Sequence, residues 1–407
     1  MLFRSTRRGR VPTFPRASMT IALVTSSLEP GKDGVGDHVR LLAAELLARG
    51  CSGRLLALHD VSTTAVLDAP AEFSGGSLPM LRLPATLAWR ERERLAGRFL
   101  AVARPAWFSL HFVAYGWQRR GIAAGWGGRF DRLAGPARRH LMLHETWTWL
   151  GACAGAPFRL RLLAVVQRAC IVAILRRYRP ELLHTHTPVY ATMLEELGSR
   201  AELLPLFGNV PIAPVRDDAW LFEELRRHGL ALAEETRARV WLAGFFATLY
   251  PEWEPEPLFS ILAAAARAAG RRVCLVSVGL MRGGEARWES FRAKYPDFTF
   301  VNLGALPPGR VSQVLQALDF GVATTPWTLI TKSGAAAAML EHGLPVIVSR
   351  DDWRRPHGPT PGPPPHPQLI LAGPALERQL LAGLPKAAPR ARVGGVAAQL
   401  LAAFAGA

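Results

Sequence analysis

Residues 320–350 constrain the fold most. Phe320–Ala323 is a short apolar run, which reads as a buried strand. A loop, Thr324–Thr331, follows it. Lys332-Ser333-Gly334 then leads into an alanine-rich helix expected from about Ala335 to His342, and Gly343 stops that helix as a C′ residue does. Leu344-Pro345 turns the chain into a second strand, Val346–Ser349. A strand–loop–helix–strand unit of this kind belongs to a parallel sheet. Its helix begins at small residues, so free N–H groups and the positive end of the helix dipole are open to an anion such as a diphosphate. Lys332 adds a charge there. The plainer reading is an ordinary unit whose Ser333 is only an N-cap.

The same logic opens the chain. Thr20–Thr25 is all but apolar, as a strand covered on both faces must be. A glycine-rich loop, Leu28–Gly36, leads to a helix expected over Asp37–Arg49, with Val39, Leu42, Ala43, Leu46 and Leu47 on one face and Gly50 as its stop. The next strand is expected at Arg54–Leu58. The glycines at 31, 34 and 36 fit neither a P-loop nor a dinucleotide fingerprint. Ligands of open α/β sheets nevertheless bind beyond the carboxyl ends of the strands, where this loop lies. Asp37 and His38 open the helix and would face the same cleft, although an acid in a first helical turn is also explained by the dipole.

Further strands are expected at 80–83, 107–113, 140–143, 181–184 and 202–206. Several end in polar residues: His111, His144 with Glu145, and His184 with His186. The His184-x-His186 spacing invites a metal reading, but the sequence puts no third ligand beside it, and HETWT lacks the second His of the zinc-protease motif. We therefore expect no metal, and read these histidines as hydrogen-bonding or sugar-contacting groups. Pro205–Pro214 reads as a crossover, after which the α/β pattern restarts. Strands are expected at 240–243, 272–277, 298–302, 320–323 and 346–349, and helices at about 257–269, 285–294, 310–318 and 335–342. The Pro-rich stretch 356–367 reads as a surface loop or flap. A last helix, about Arg390–Phe404, is expected to dock back on the first half.

Two cores are the natural outcome for 407 residues. Four scattered cysteines with no CxxC pair argue for reduced thiols and a cytoplasmic setting. The net charge of +17 favours anionic partners, yet the basic residues are dispersed, which argues against nucleic acid. Phe158–Tyr178 is too rich in Arg to span a bilayer. It reads either as a helix packed on a sheet or as one lying on an anionic membrane surface. Residues 1–18 carry five Arg and no acid, and read as a disordered basic tail with Met19 as a candidate start.

Together these features predict an α/β protein of two doubly wound, Rossmann-like domains facing across a cleft. That plan resembles the GT-B glycosyltransferases, and several stretches resemble the family-4 type (glycosyl transferases group 1). VTSSLEPGKDGVGDHVRLLAAELLARG is similar to that family's first strand, glycine loop and helix. ELLHTHTP is similar to a strand end, PLFGNVP to the crossover, and SGAAAAMLEHGLPVIVS to the helix and strand ending in G-x-P-V-I. The resemblance implies an acceptor domain at 19–207, a donor domain at 208–385 and a C-terminal helix, 386–407, returning to the first domain. It implies transfer of a hexosyl-type sugar from a nucleotide-diphosphate sugar, without metal or other cofactor. The acceptor would be a surface glycan, a lipid-linked sugar or a small molecule. Carried over, Gly34, Gly36, Gly244, Lys332, Ser333, Gly334 and Glu341 would bind the donor. His111, His184 and His186 would contact the acceptor, and Asp37, His38, His144 or Glu145 would act as base or orient the acceptor. The chain departs from the family pattern at the paired Glu eight positions apart. One register puts Ile330 and Ala338 there, the other Ser333 and Glu341. A catalytically inactive scaffold, or an epimerase or phosphorylase of the same fold, is therefore the competing reading.

Overall fold

The computed structural model describes residues 19–147, 158–214, 217–230, 232–281, 283–355 and 358–407. The expected N-terminal tail, Cys153 and part of the Pro-rich loop lie outside them.

The chain builds two sheets. The first holds β1 (Thr20–Thr25), β2 (Ser52–Asp60), β3 (Leu67–Phe73), β4 (Gly76–Pro84), β5 (Trp107–Phe112), β6 (Arg138–Leu143), β7 (Leu182–Thr185) and β8 (Glu202–Leu203), in the order β3-β4-β2-β1-β5-β6-β7-β8. All neighbours are parallel except β3 with β4. The second sheet holds β9 (Val240–Phe246), β10 (Arg272–Val278), β11 (Phe298–Asn302), β12 (Phe320–Ala323), β13 (Val346–Val348) and β14 (Leu369–Leu371). Its order, β11-β10-β9-β12-β13-β14, is wholly parallel. Each sheet therefore reverses its winding once, between β1 and β5 and between β9 and β12. A crevice opens at such a switch point. The α/β class with two Rossmann-like bodies is thus borne out.

The apolar runs are buried because each sheet is covered on both faces. Helix Gly34–Ala48 and the final helix Val393–Gly406 pack on one face of the first sheet, where Ile21, Leu42, Trp107, Leu400 and Phe404 share a core. Helices Trp89–Ala103, Trp126–Ala134 and Phe158–Tyr178 cover the other face. The last of these buries Cys170, Ile171, Ile174 and Tyr178 but leaves Phe158, Leu162 and Val165 exposed. Among the described residues no helix is long and apolar enough to cross a membrane.

Some boundaries differ from expectation. The first helix starts at Gly34, not Asp37, because Asp33 caps it by accepting from the Val35 N–H at 3.0 Å. β3 is not among the expected strands: it is an antiparallel edge strand with little burial, so it lacks an apolar run. β14 is another addition, since it follows directly on the Pro-rich stretch. The strand expected at 202–206 shortens to two residues.

Candidate active site

The carboxyl ends of the two sheets face each other across a cleft. A cavity of about 260 Å³ is walled mainly by the second sheet, through Phe245–Thr248 at the end of β9 and just beyond it, Thr324 and Thr325 after β12, and the step Lys332–Ala335. It adjoins a larger cavity of about 610 Å³ on the first sheet, walled by the loop Lys32–Val35 and by His38, His144 and His186. Gly34, Glu145, Asn209, Tyr250, Lys332 and Gly334 border both.

The second-sheet wall is built by helix Gly334–Glu341. Ser333 is its N-cap, with Oγ accepting from the Ala336 N–H at 3.3 Å. A β-carbon on Gly334 would meet open space, so the helix start is bare toward the cleft. Lys332 precedes it and donates from Nζ to Glu145 Oε1 at 2.7 Å, joining the two halves of the protein across the cleft. Burial works against the ammonium, but Tyr190 and Glu145 beside it hold it above the usual lysine range. Above the helix, Ala247 adopts a left-handed φ of 60° in the loop after β9. Non-glycine residues held in that region concentrate at binding sites.

The first-sheet wall rests on a buried ion pair. Asp60 accepts from Arg82 Nε at 2.7 Å and from the Ser27 hydroxyl at 2.9 Å, and Arg82 also pairs with Glu29. Burial opposes the Asp60 charge, but Arg82, Ser62 and Ser27 keep its carboxyl below the usual range. This pins the loop after β1. Asp37 reaches back to accept from the Gly31 N–H at 2.9 Å, so its carboxylate shapes the loop and does not border either cavity. Gly36 also lies off the cleft, because a β-carbon there would stand 2.6 Å from the Ser27 carbonyl oxygen. Gly34 has open space and lines both cavities.

Two expected donor residues stand away from the cavities. Gly244 sits inside β9, where a β-carbon would strike Leu318 at 2.1 Å. Glu341 is at the far end of its helix, buried, and accepts from the Gly208 N–H of the crossover at 2.9 Å. Burial pushes its pKa up to about 7. Gly208 has no room for a side chain, since its β-carbon would lie 2.7 Å from the Ala338 Cα.

Five histidines and Ser109 form one buried chain. His184 Nδ1 lies 3.0 Å from His140 Nε2, and His140 Nδ1 lies 2.7 Å from Ser109 Oγ. Ser109 Oγ is 3.3 Å from His111 Nε2, and His111 Nδ1 is 3.2 Å from His144 Nε2. His144 Nδ1 is 2.9 Å from His186 Nε2, and His186 Nδ1–H donates to the Leu204 carbonyl at 2.9 Å. Of the histidines expected at the site, His38, His144 and His186 reach the cleft, whereas His111 and His184 stay within the sheet; His59 lines the cleft as well. Among the cleft-lining residues, sequence reading did not single out His59, Asn209 or Tyr250. His59 and Tyr250 sit in no quoted motif, Asn209 was read only as part of the crossover, and the fold brings all three to the cleft.

No family model and no curated protein matches this sequence. Solved structures do resemble it. An α,α-trehalose-phosphate synthase (UDP-forming) from Burkholderia xenovorans, crystallised with glucose-6-phosphate, superposes with a TM-score of 0.55 at 11% identity, over 95% of this chain and 100% of that one. An α,α-trehalose 6-phosphate synthase from Burkholderia multivorans superposes at 0.52 with 12% identity, over 96% and 93%. At such identity the likeness shows the fold, the two-domain GT-B arrangement, in agreement with the sequence resemblance.

Proposed function

We propose that this chain is a glycosyltransferase that moves a sugar from a nucleotide-diphosphate donor to a hydroxyl acceptor held on the first sheet. The observation carrying this reading is the bare N-terminus of helix Gly334–Glu341, with Lys332 beside it, opening into a cleft between two switch points. Unpaired N–H groups and an ammonium would stabilise the negative charge that develops on the departing nucleoside diphosphate. Lys332 and the helix dipole would then meet the diphosphate charge at this wall without a cation. The similar synthase from Burkholderia xenovorans is UDP-forming, which agrees with this class of donor. His144 and Glu145, on the opposite side of the cleft, would orient the acceptor or take its proton. A sugar of the hexose class and a glycan, lipid-linked or small-molecule acceptor fit a cavity of about 610 Å³. Exposed Phe158, Leu162 and Val165, interleaved with exposed Arg159, Arg161 and Arg168, favour peripheral contact with an anionic membrane at a cytoplasmic face.

A second reading, an inactive GT-B-like scaffold, is favoured by one observation. Ile330 and Ala338, at one register of the missing Glu pair, are buried in the core, and Glu341 is turned to the crossover.

A thermal-shift panel of nucleoside diphosphates and nucleotide sugars separates the two. The expected result is a rise in unfolding temperature with one nucleotide, by mass action, lost in Lys332→Ala. Glu145→Gln should strengthen that binding several-fold, since it releases Lys332 from a partly exposed pair worth about 1 kcal/mol or less. No rise with any nucleotide, from folded protein, would leave the scaffold reading standing.

A further inference from the structure

The histidine chain ends on groups that ask for protons at both ends. At one end the Leu204 carbonyl can only accept, so His186 Nδ1 carries a proton. In a neutral imidazole the nitrogen opposite the N–H is an acceptor. His186 Nε2 is then an acceptor, His144 Nδ1–H donates to it, and His144 Nε2 is left with a lone pair. At the other end the Glu202 carboxylate lies 4.0 Å from His184 Nε2 and favours a proton on that nitrogen. His184 Nδ1 then accepts from His140 Nε2–H. His140 Nδ1 accepts from the Ser109 hydroxyl, and Ser109 Oγ accepts from His111 Nε2–H. His111 Nδ1 is also left with a lone pair. The two lone pairs face each other at 3.2 Å.

His38 stands beside that junction. Its ring lies 5.0 Å from His144 and 5.6 Å from His111, and its plane is fixed by stacking on Phe207 at 4.2 Å. It is buried, and neither of its nitrogens has a hydrogen-bond partner. One nitrogen from each of His38, His111 and His144 lies within 4.8 Å of the other two. Imidazole nitrogens bound to a tetrahedral zinc at about 2.0–2.1 Å stand roughly 3.3 Å apart, close to the separation already present between His111 and His144.

We propose that His38, His111 and His144 bind one borderline transition-metal dication of the zinc class, with a remaining coordination position open to the cleft. His111 would ligate through Nδ1 and His144 through Nε2. Their other nitrogens would donate to Ser109 and His186, the outer hydrogen bonds that orient metal-bound imidazoles. His38 and His144 line the large cavity, which gives an ion access and leaves a fourth position for water or an acceptor hydroxyl. Three nitrogen donors and no carboxylate suit zinc or its neighbours and not magnesium or calcium. The three ligands come from a helix, a strand and a strand end, so no sequence spacing announces them. The site is separate from the donor wall but shares His144 with the acceptor side of the proposed glycosyltransferase, where the metal would take His144 out of the role of base.

The test uses the untagged full chain, stripped with a chelator and titrated calorimetrically with zinc chloride, with magnesium chloride as control. One zinc per chain is expected with no response to magnesium, and His38→Gln and His144→Gln should each weaken zinc binding by more than about tenfold, the scale set by loss of an outer hydrogen bond alone. Cobalt(II) added to the unaltered protein should give the intense visible bands of a four-coordinate nitrogen site, a readout that needs no variant to fold. Absence of zinc binding to folded wild type would overturn the proposal. So would undiminished binding in both variants, or the weak spectrum of six-coordinate cobalt.

Discussion

Two effects oppose each other at Gly36. Alanine would favour its helix by about 1 kcal/mol. The new β-carbon, however, would stand 2.6 Å from the Ser27 oxygen and 3.4 Å from the Leu28 Cα, both backbone atoms that cannot turn aside. Overpacking of this kind costs about 1–3 kcal/mol, so sterics should win. Gly36→Ala is expected to lower the urea midpoint, while Gly34→Ala, facing open space, should leave it unchanged or raise it. Equal midpoints would mean that the close approach is not felt. The glycine loop shows what a sequence reveals at this scale and what it hides. That Gly34 and Gly36 stand near the carboxyl end of β1 was legible from the sequence. That one faces the cleft and the other meets a carbonyl was not, because the answer depends on where the helix begins. The histidines divide similarly: residue type pointed to the cleft, but only the pairing of β5, β6 and β7 lines them into one chain.

Elements were more legible than contacts. β1, β9, β10, β11 and β12 stand out as apolar runs because both faces are covered, whereas β3 lies at an exposed edge and carries no such signal. Helix Gly334–Glu341 was visible from its small start and Gly343 stop, yet the task of its last residue was not. Glu341 ties the helix to the crossover at Gly208. A carboxyl whose pKa rises from 4.5 to about 7 on folding holds its proton more tightly in the folded chain. Its contribution is therefore fully present below about pH 4.5 and is lost as pH climbs toward 7, each tenfold gain in proton affinity being worth about 1.4 kcal/mol. Stability measured by denaturant at pH 5 and pH 7 should fall across that interval, and Glu341→Gln, which keeps an acceptor for Gly208 without a charge, should flatten the fall. An unchanged slope in the variant would remove Glu341 as its source.

The backbone passes between the two sheets twice, in addition to the Lys332–Glu145 pair across the cleft. The crossover carries the chain from the first sheet to the second, and the stretch after α-helix Leu376–Ala382 brings it back, with Arg390 N–H donating to the Glu341 carbonyl at 2.7 Å on the way. The final helix then stacks Phe404 on Trp107 at 4.3 Å. Phe404→Ala should cost about 3–5 kcal/mol, read from chemical denaturation, because it empties a fully buried site at the base of the first sheet. A loss below about 1 kcal/mol, the ordinary scale of a surface change, would show the helix to be an ornament. The docking has a further consequence for how the protein is made. Domains of a growing chain usually mature in the order they leave the ribosome. Here the sheet begun first is closed by a helix synthesised after the whole of the second sheet, so the second sheet can be finished while Trp107 still waits, uncovered, for its partner.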